Sequence, residues 1–170
     1  MPERYLVVDH LKLSYEGLLN PTELFNVISS WFFEKGWDWY EKLNREQITP
    51  AGKNIHIVLE PWKSVSDFYK IIMKIQLNME ELKEVEVQQN KEAVRLHHGQ
   101  VHITFDAYVL VDRHEEWTKK PLWWFLTVLS QKFFFKSNFE KMETWVTSDL
   151  DDLHQKIKNY LNVFKYTYQG

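Results

Sequence analysis

The central part of the chain alternates between apolar and polar residues with a period of two, and this pattern restricts the fold more than any other feature. The alternation covers residues 53–60, 68–78, 84–89 and 93–112. Such alternation is typical of strands with one buried and one wet face, and short polar links join antiparallel neighbours. We therefore predict an antiparallel meander of about four to six strands here.

The N-terminal region predicts a strand followed by helix. Residues 5–15 alternate in the same way as the central region. Asn20 suits a helix N-cap, and Pro21 suits the first helical position, where no backbone N–H is needed. The helical spacing continues until Gly36, and residues 37–44 predict a second short helix or an irregular segment.

The C-terminal region returns to helical spacing. One segment opens at Pro121, and Ser148 with Asp151 resembles a capping box at the start of a final amphipathic helix. The apolar stripe of that helix consists of Leu150, Leu153, Ile157, Tyr160, Leu161 and Phe164. We find no internal repeat and no linker rich in Gly or Ser, so we predict a single domain over residues 1–170.

These elements together predict the α+β class: a curved antiparallel sheet covered by an N-terminal helix pair and a long C-terminal helix. The stretch YLVVDHLKLSYEGLLNPTELFNVISSWFF resembles the opening of the helix-grip superfamily, which includes birch-pollen-allergen-like, START-like and polyketide-cyclase-like proteins. In that superfamily a first strand leads through a short loop and a Pro or Ser into a helix of the form E-L-F-N-V-I-S.

The resemblance is one of architecture and covers residues 5–113 and 148–165. It implies a cavity for an apolar ligand between the sheet and the C-terminal helix, and no particular chemistry. The chain departs from the family over residues 114–147, where helical spacing replaces the usual last strands and an extra helix precedes the final one.

Aromatic residues make up 16% of the chain, enough either to fill a core or to line a pocket. We predict that six large side chains line the implied cavity: Trp31, Trp62, Tyr69, Met73, Phe105 and Leu153. The alternative is that the same side chains pack closely and leave no cavity.

The segment KKPLWWFLTVLSQKFFFK combines lysines with aromatic side chains, as helices on membrane surfaces do. Its helix would be apolar nearly all round. We predict that residues 121–135 contact a membrane surface or a protein partner through Trp123, Trp124, Phe134 and Phe135. Burial within the domain or in a homodimer is the alternative.

Histidines and carboxylates on the predicted sheet raise the question of a metal or catalytic site. His56, His98, His102 and Asp106 can be drawn on one face, but no spacing matches a known ligand motif, and a solvated face is the simpler interpretation. Nucleophile-elbow, phosphate-loop and dinucleotide-binding motifs are absent from the sequence. We therefore predict no metal ligands, no cofactor and no catalytic residues. An enzyme on this scaffold would need one of these side chains, or Glu60, inside the cavity.

Charge and composition restrict partners and location. Lys and Arg number 21 against 24 Asp and Glu, giving a net charge of -3, so nucleic acid is not expected as a partner. The chain has no Cys, and its first residues lack the pattern of a secretory signal, so we expect a cytoplasmic protein. Our first functional hypothesis is a binding or carrier domain for a lipid-like or aromatic molecule. The second is a non-catalytic interaction protein that docks through residues 121–135.

Overall fold

The computed structural model describes residues 3–65, 69–89, 91–111 and 136–167. The described part contains six strands and two helices. The strands are β1 (Glu3–Leu19), β2 (Glu41–Thr49), β3 (Gly52–Leu59), β4 (Trp62–Ser64), β5 (Tyr69–Gln89) and β6 (Glu92–Val111). The helices are α1 (Pro21–Glu34) and α2 (Lys136–Thr167).

All six strands belong to one antiparallel sheet, in the order β1-β6-β5-β3-β2. The short strand β4 pairs with β5 beyond the end of β3, so β3 and β4 share one edge of β5. Pro61 separates the two because it has no backbone N–H, and its carbonyl accepts from the amide of Met73 at 3.0 Å. The predicted α+β class and antiparallel sheet are confirmed.

The predicted N-terminal helix pair is reduced to one helix, because no second helix forms between residues 37 and 44. Gly36 adopts a φ of +77° after the last turn of α1, Asp38 forms a β-bridge with Trp62, and β2 begins at Glu41. Strand β2 is at the edge of the sheet and is exposed on both faces. Its side chains therefore have no reason to alternate, and its backbone pairing leaves no pattern in the sequence.

Helix α1 begins where the sequence predicts. The side chain of Asn20 accepts from the amides of Thr22 and Glu23 at 3.1 and 3.3 Å, and Pro21 is the first helical residue. These contacts satisfy backbone donors that have no partner inside the helix. The resulting helix buries one face against the sheet.

Helix α2 begins at Lys136, twelve residues before the predicted capping box. Ser148 and Asp151 are therefore inside the helix, where both side chains are exposed. The predicted stripe is confirmed and extends toward the N-terminus through Met142 and Val146, which are also buried. Ser and Asp at exposed helix positions are tolerated at a modest loss of propensity, so they did not mark a boundary here.

The hydrophobic core lies between one face of the sheet and the two helices. Alternate residues of β5 from Ile71 to Met79, and of β6 from Val101 to Val111, point into this layer. The opposite face, which we call the outer face, carries mostly polar and half-buried side chains in the described part of the chain. This division follows the alternation in the sequence.

Two β-bulges bend the sheet. One lies in β1 between Val8 and Leu11, and the other lies in β5 between Glu80 and Lys83, where the partner strand contributes Gly99. Strand β6 itself runs through Gly99 without interruption. A Cβ atom at residue 99 would lie 2.8 Å from the carbonyl oxygen of Glu80, so glycine is required by the close approach of the bulged strand.

The predicted helix from Pro121 and the whole of segment 121–135 lie outside the described residues. Neither described helix has a stretch that is long and apolar enough to cross a bilayer.

Candidate ligand-binding site

Five of the six predicted cavity residues meet in the layer between sheet and helices. Trp31, Met73, Phe105 and Leu153 are at most 1% exposed and belong to one hydrophobic cluster, and Tyr69 packs against that cluster. Trp62 does not join them. It pairs with Ile72 on the outer face, and Lys70 Nζ lies 3.6 Å from the centre of its ring.

The aromatic side chains of α1 form a cluster with those that follow the helix. The rings of Trp31 and Phe32 meet edge to face at 4.9 Å, and Trp37 contacts Phe32 at 5.6 Å. The indole N–H of Trp31 donates to Asp152 on α2 at 2.8 Å, which ties the two helices together. The indole nitrogen of Trp37 is buried without a hydrogen-bond partner.

The most suitable binding geometry in the described part of the chain is an open cleft of about 360 Å³ between β1 and α2. Strand β1 contributes residues 12–16, and α2 contributes His154, Lys158, Leu161 and Asn162. Because β1 is an edge strand, alternate backbone N–H and C=O groups along it point away from β6. No described strand pairs with that edge. We call this cleft the β1–α2 cleft.

The floor of the β1–α2 cleft is apolar. Leu13 on β1 is 8% exposed and Leu161 on α2 is 1% exposed. His154 stands one helical turn before Lys158, and its ring packs edge-on against Phe105 at 5.9 Å. The cleft therefore lies directly over the predicted interior of the domain, but is lined by none of the six residues predicted for it.

Tyr15 closes part of the β1–α2 cleft. Its hydroxyl donates to the carbonyl of Leu18 at 2.7 Å, which fixes the ring against the strand. Burial raises the pKa of Tyr15 above its ordinary value, so the phenol is neutral at physiological pH. The ring adds apolar surface to the cleft without adding charge.

The rim of the β1–α2 cleft carries two exposed lysines, Lys12 and Lys158. Neither forms an ion pair within the described part of the chain, unlike Lys53, which lies 2.6 Å from Glu46. Glu16 also borders the cleft, four residues along the extended strand from Lys12, or about 13 Å away. The rim is therefore positive at the Lys12 end, and both ammonium groups are available to an anion.

A second groove, of about 350 Å³, runs between α1 and α2. Its polar groups already contact one another: the hydroxyl of Tyr160 lies 3.0 Å from Glu23 Oε2 and 3.3 Å from the carbonyl of Asn20, and Lys156 pairs with Glu34 at 3.7 Å. Burial and the neighbouring Glu23 raise the pKa of Tyr160 far above its ordinary value. These contacts join the two helices, and we interpret the groove as structural.

The histidines considered from the sequence do not converge. Ser14, His102, Asn78 and His56 follow one another across β1, β6, β5 and β3, so Asn78 separates the two histidines by about 10 Å. His98 is four residues from His102 along β6, or about 13 Å. His102 instead lies 3.2 Å from Ser14 Oγ. These contacts are typical of a polar sheet face.

Asp106 has partners that the sequence analysis missed. It is buried, and it contacts His10 and lies beside Asp9 at the bulge of β1. The only sequence signal is a break in the alternation at VVDHL, where two apolar residues precede two polar ones. A bulge produces such a break because it places consecutive residues opposite a single partner.

Comparison with known proteins identifies no relative: no family model, no curated protein and no solved structure matches this chain.

Proposed function

We propose that this chain is a binding or carrier domain for a small apolar molecule with an anionic group, held in the β1–α2 cleft. The observation that carries the proposal is the cleft itself, whose volume of about 360 Å³ falls within the range of about 300–1,000 Å³ usual for small-molecule sites. It combines an apolar floor with two lysines that have no ion-pair partner in the described part of the chain.

Each part of the cleft has a role in this proposal. The apolar portion of the ligand lies over Leu13, Leu161 and the ring of Tyr15, where water is displaced from apolar surface. Its anionic group lies between the ammonium groups of Lys12 and Lys158. Backbone N–H groups on the open edge of β1 supply further donors to the same anion.

The helix-grip resemblance supports the proposal through architecture alone. It implies a ligand between the sheet and the C-terminal helix, and β1 and α2 are the elements that border the cleft. The second hypothesis, docking through residues 121–135, concerns residues outside the described part of the chain and stays a prediction.

The first experiment is native mass spectrometry of freshly purified protein beside its denatured mass, with solvent extraction of any bound molecule. We expect a stoichiometric adduct that contains a carboxylate, sulfonate or phosphate group. Because a weak ligand can be lost during purification, the proposal is then tested by calorimetric titration with dodecanoate and with the uncharged dodecanol.

Variants of the rim lysines make the titration specific. We expect Lys12→Gln/Lys158→Gln to weaken dodecanoate binding at least about tenfold, since each charge-assisted contact contributes about 1.5–3 kcal/mol. Lys156→Gln is the matched control, because Lys156 is on the same helix but faces the other groove. Equal affinity of all three proteins for dodecanoate, or no binding by the unsubstituted chain, would overturn the proposal.

A further inference from the structure

Three metal-ligating side chains converge on the outer face of the sheet, away from the core. In β1 the register passes from Val8 opposite Ala107 to Leu11 opposite Phe105. The two residues between them, Asp9 and His10, therefore both face Asp106. The bulge brings an imidazole and two carboxylates to one place.

The donor atoms of these side chains are close together. One ligand atom from each of Asp9, His10 and Asp106 lies within 4.8 Å of the other two. The amide N–H of His10 donates to Asp106 Oδ1 at 2.8 Å, and His10 Nδ1 is 3.2 Å from the same oxygen. His10 Nδ1 also contacts Asp9 Oδ1. The backbone contact fixes the position of Asp106 relative to the ring.

The burial of Asp106 gives a second, independent observation. Its exposed fraction is 8%, and it is the one charged side chain that is buried in the described part of the chain. A buried carboxylate ordinarily requires a cation. Lys74 faces Asp106 across the β5–β6 ladder but forms no ion pair with it, and no arginine of the described chain does so.

Protons alone satisfy this arrangement poorly. The single nitrogen His10 Nδ1 lies against two carboxylate oxygens, yet it can carry at most one proton. A divalent cation attracts all three ligand atoms at once. Asp9 and His10 have side chains that are 64% and 61% exposed, so an ion from solution can reach them.

We propose that Asp9, His10 and Asp106 form a binding site for a divalent transition metal. One imidazole nitrogen with two carboxylate oxygens suits Zn²⁺, Mn²⁺ or Fe²⁺, whereas Ca²⁺ and Mg²⁺ prefer ligand sets made of oxygen alone. Three protein ligands leave at least one coordination position for water, as in open zinc sites. The site is independent of the ligand proposed for the β1–α2 cleft.

The test is calorimetric titration of chelator-treated protein with Zn²⁺, Mn²⁺ and Ca²⁺ separately. We expect one equivalent of Zn²⁺ to bind, more tightly than Ca²⁺, and to raise the melting temperature. His10→Gln should weaken Zn²⁺ binding at least about tenfold, the size of loss seen even for outer-sphere partners of metal sites. His98→Gln is the control, because His98 is an exposed histidine elsewhere on the sheet.

The substitutions also separate binding from folding. His10 and Asp9 are exposed, so His10→Gln and Asp9→Asn test the site without removing a buried group. Circular dichroism of both variants verifies that they are folded. The proposal is overturned if the unsubstituted protein binds no Zn²⁺, or if His10→Gln and Asp9→Asn bind it as tightly as His98→Gln does.

Discussion

The two buried tryptophans around α1 provide a matched pair for testing how the domain is stabilised. Trp31 and Trp37 are 1% and 4% exposed and contact the same phenylalanine. Replacement by Phe removes a similar volume at both positions. The difference is polar: Trp31 donates to Asp152, whereas the indole nitrogen of Trp37 is buried without a partner.

The magnitude follows from these two environments. Trp31→Phe loses a hydrogen bond, of which we count about 1 kcal/mol because Asp152 is exposed to solvent. Trp37→Phe removes an unsatisfied buried donor whose desolvation costs about 1–3 kcal/mol. We therefore expect Trp31→Phe to lower the free energy of unfolding by about 2–3 kcal/mol more than Trp37→Phe does.

Urea denaturation followed by far-ultraviolet circular dichroism measures this difference directly. In melting temperature it corresponds to roughly 4–12 °C for a domain of this size. Equal losses of stability for the two variants, or a larger loss for Trp37→Phe, would refute the reasoning and show that the Trp37 nitrogen has a partner.

Three further outcomes follow from single side chains. Because the pKa of Tyr160 is raised in the folded protein, stability is fully present below about pH 10 and is lost as pH rises above that value; Tyr160→Phe should reduce this loss in urea denaturation between pH 9 and 11. Gly99→Ala should destabilise the domain by about 1–3 kcal/mol in the same assay, and an unchanged midpoint would contradict the close approach of Glu80. Leu153→Ala should cost about 2–5 kcal/mol, with Val163→Ala, at an exposed position of α2, as a nearly neutral control; similar effects of the two would argue that Leu153 is not packed in the core.

The sequence predicts this fold where one face of an element is buried. Strands β3, β5 and β6 alternate because their odd-numbered core residues, such as Ile57, Ile75 and Phe105, face the helices. The start of α1 is predicted from Asn20, since capping is a local interaction between neighbouring residues. Patterns of this kind are set by the chain within a few residues.

Features that depend on distant residues were missed. Strand β2 has no buried face, so only its backbone pairing with β3 defines it. The bulges at residues 9–10 and 81–82 depend on register between strands. Trp62 was predicted for the interior, but its pairing with β5 places it beside Ile72 on the outer face. Alternation alone does not say which face of a short edge strand is covered.

The candidate sites show the same division. Lys12 and Lys158 are 146 positions apart in the sequence and meet only because α2 packs along β1. Asp106 was considered among histidines of its own strand, but the bulge of β1 brings it to His10 instead. Residue types suggest which chemistry is possible, and the tertiary contacts decide which residues share a site.

The most direct test of the β1–α2 cleft is a titration of isotope-labelled protein with dodecanoate, followed by amide chemical shifts in two-dimensional NMR. We expect the largest shifts at Leu13, Tyr15 and Leu161, with saturation at one equivalent. Shifts confined to the groove between α1 and α2, around Ser30, or an absence of saturable shifts, would contradict the proposal that this cleft binds a small apolar anion.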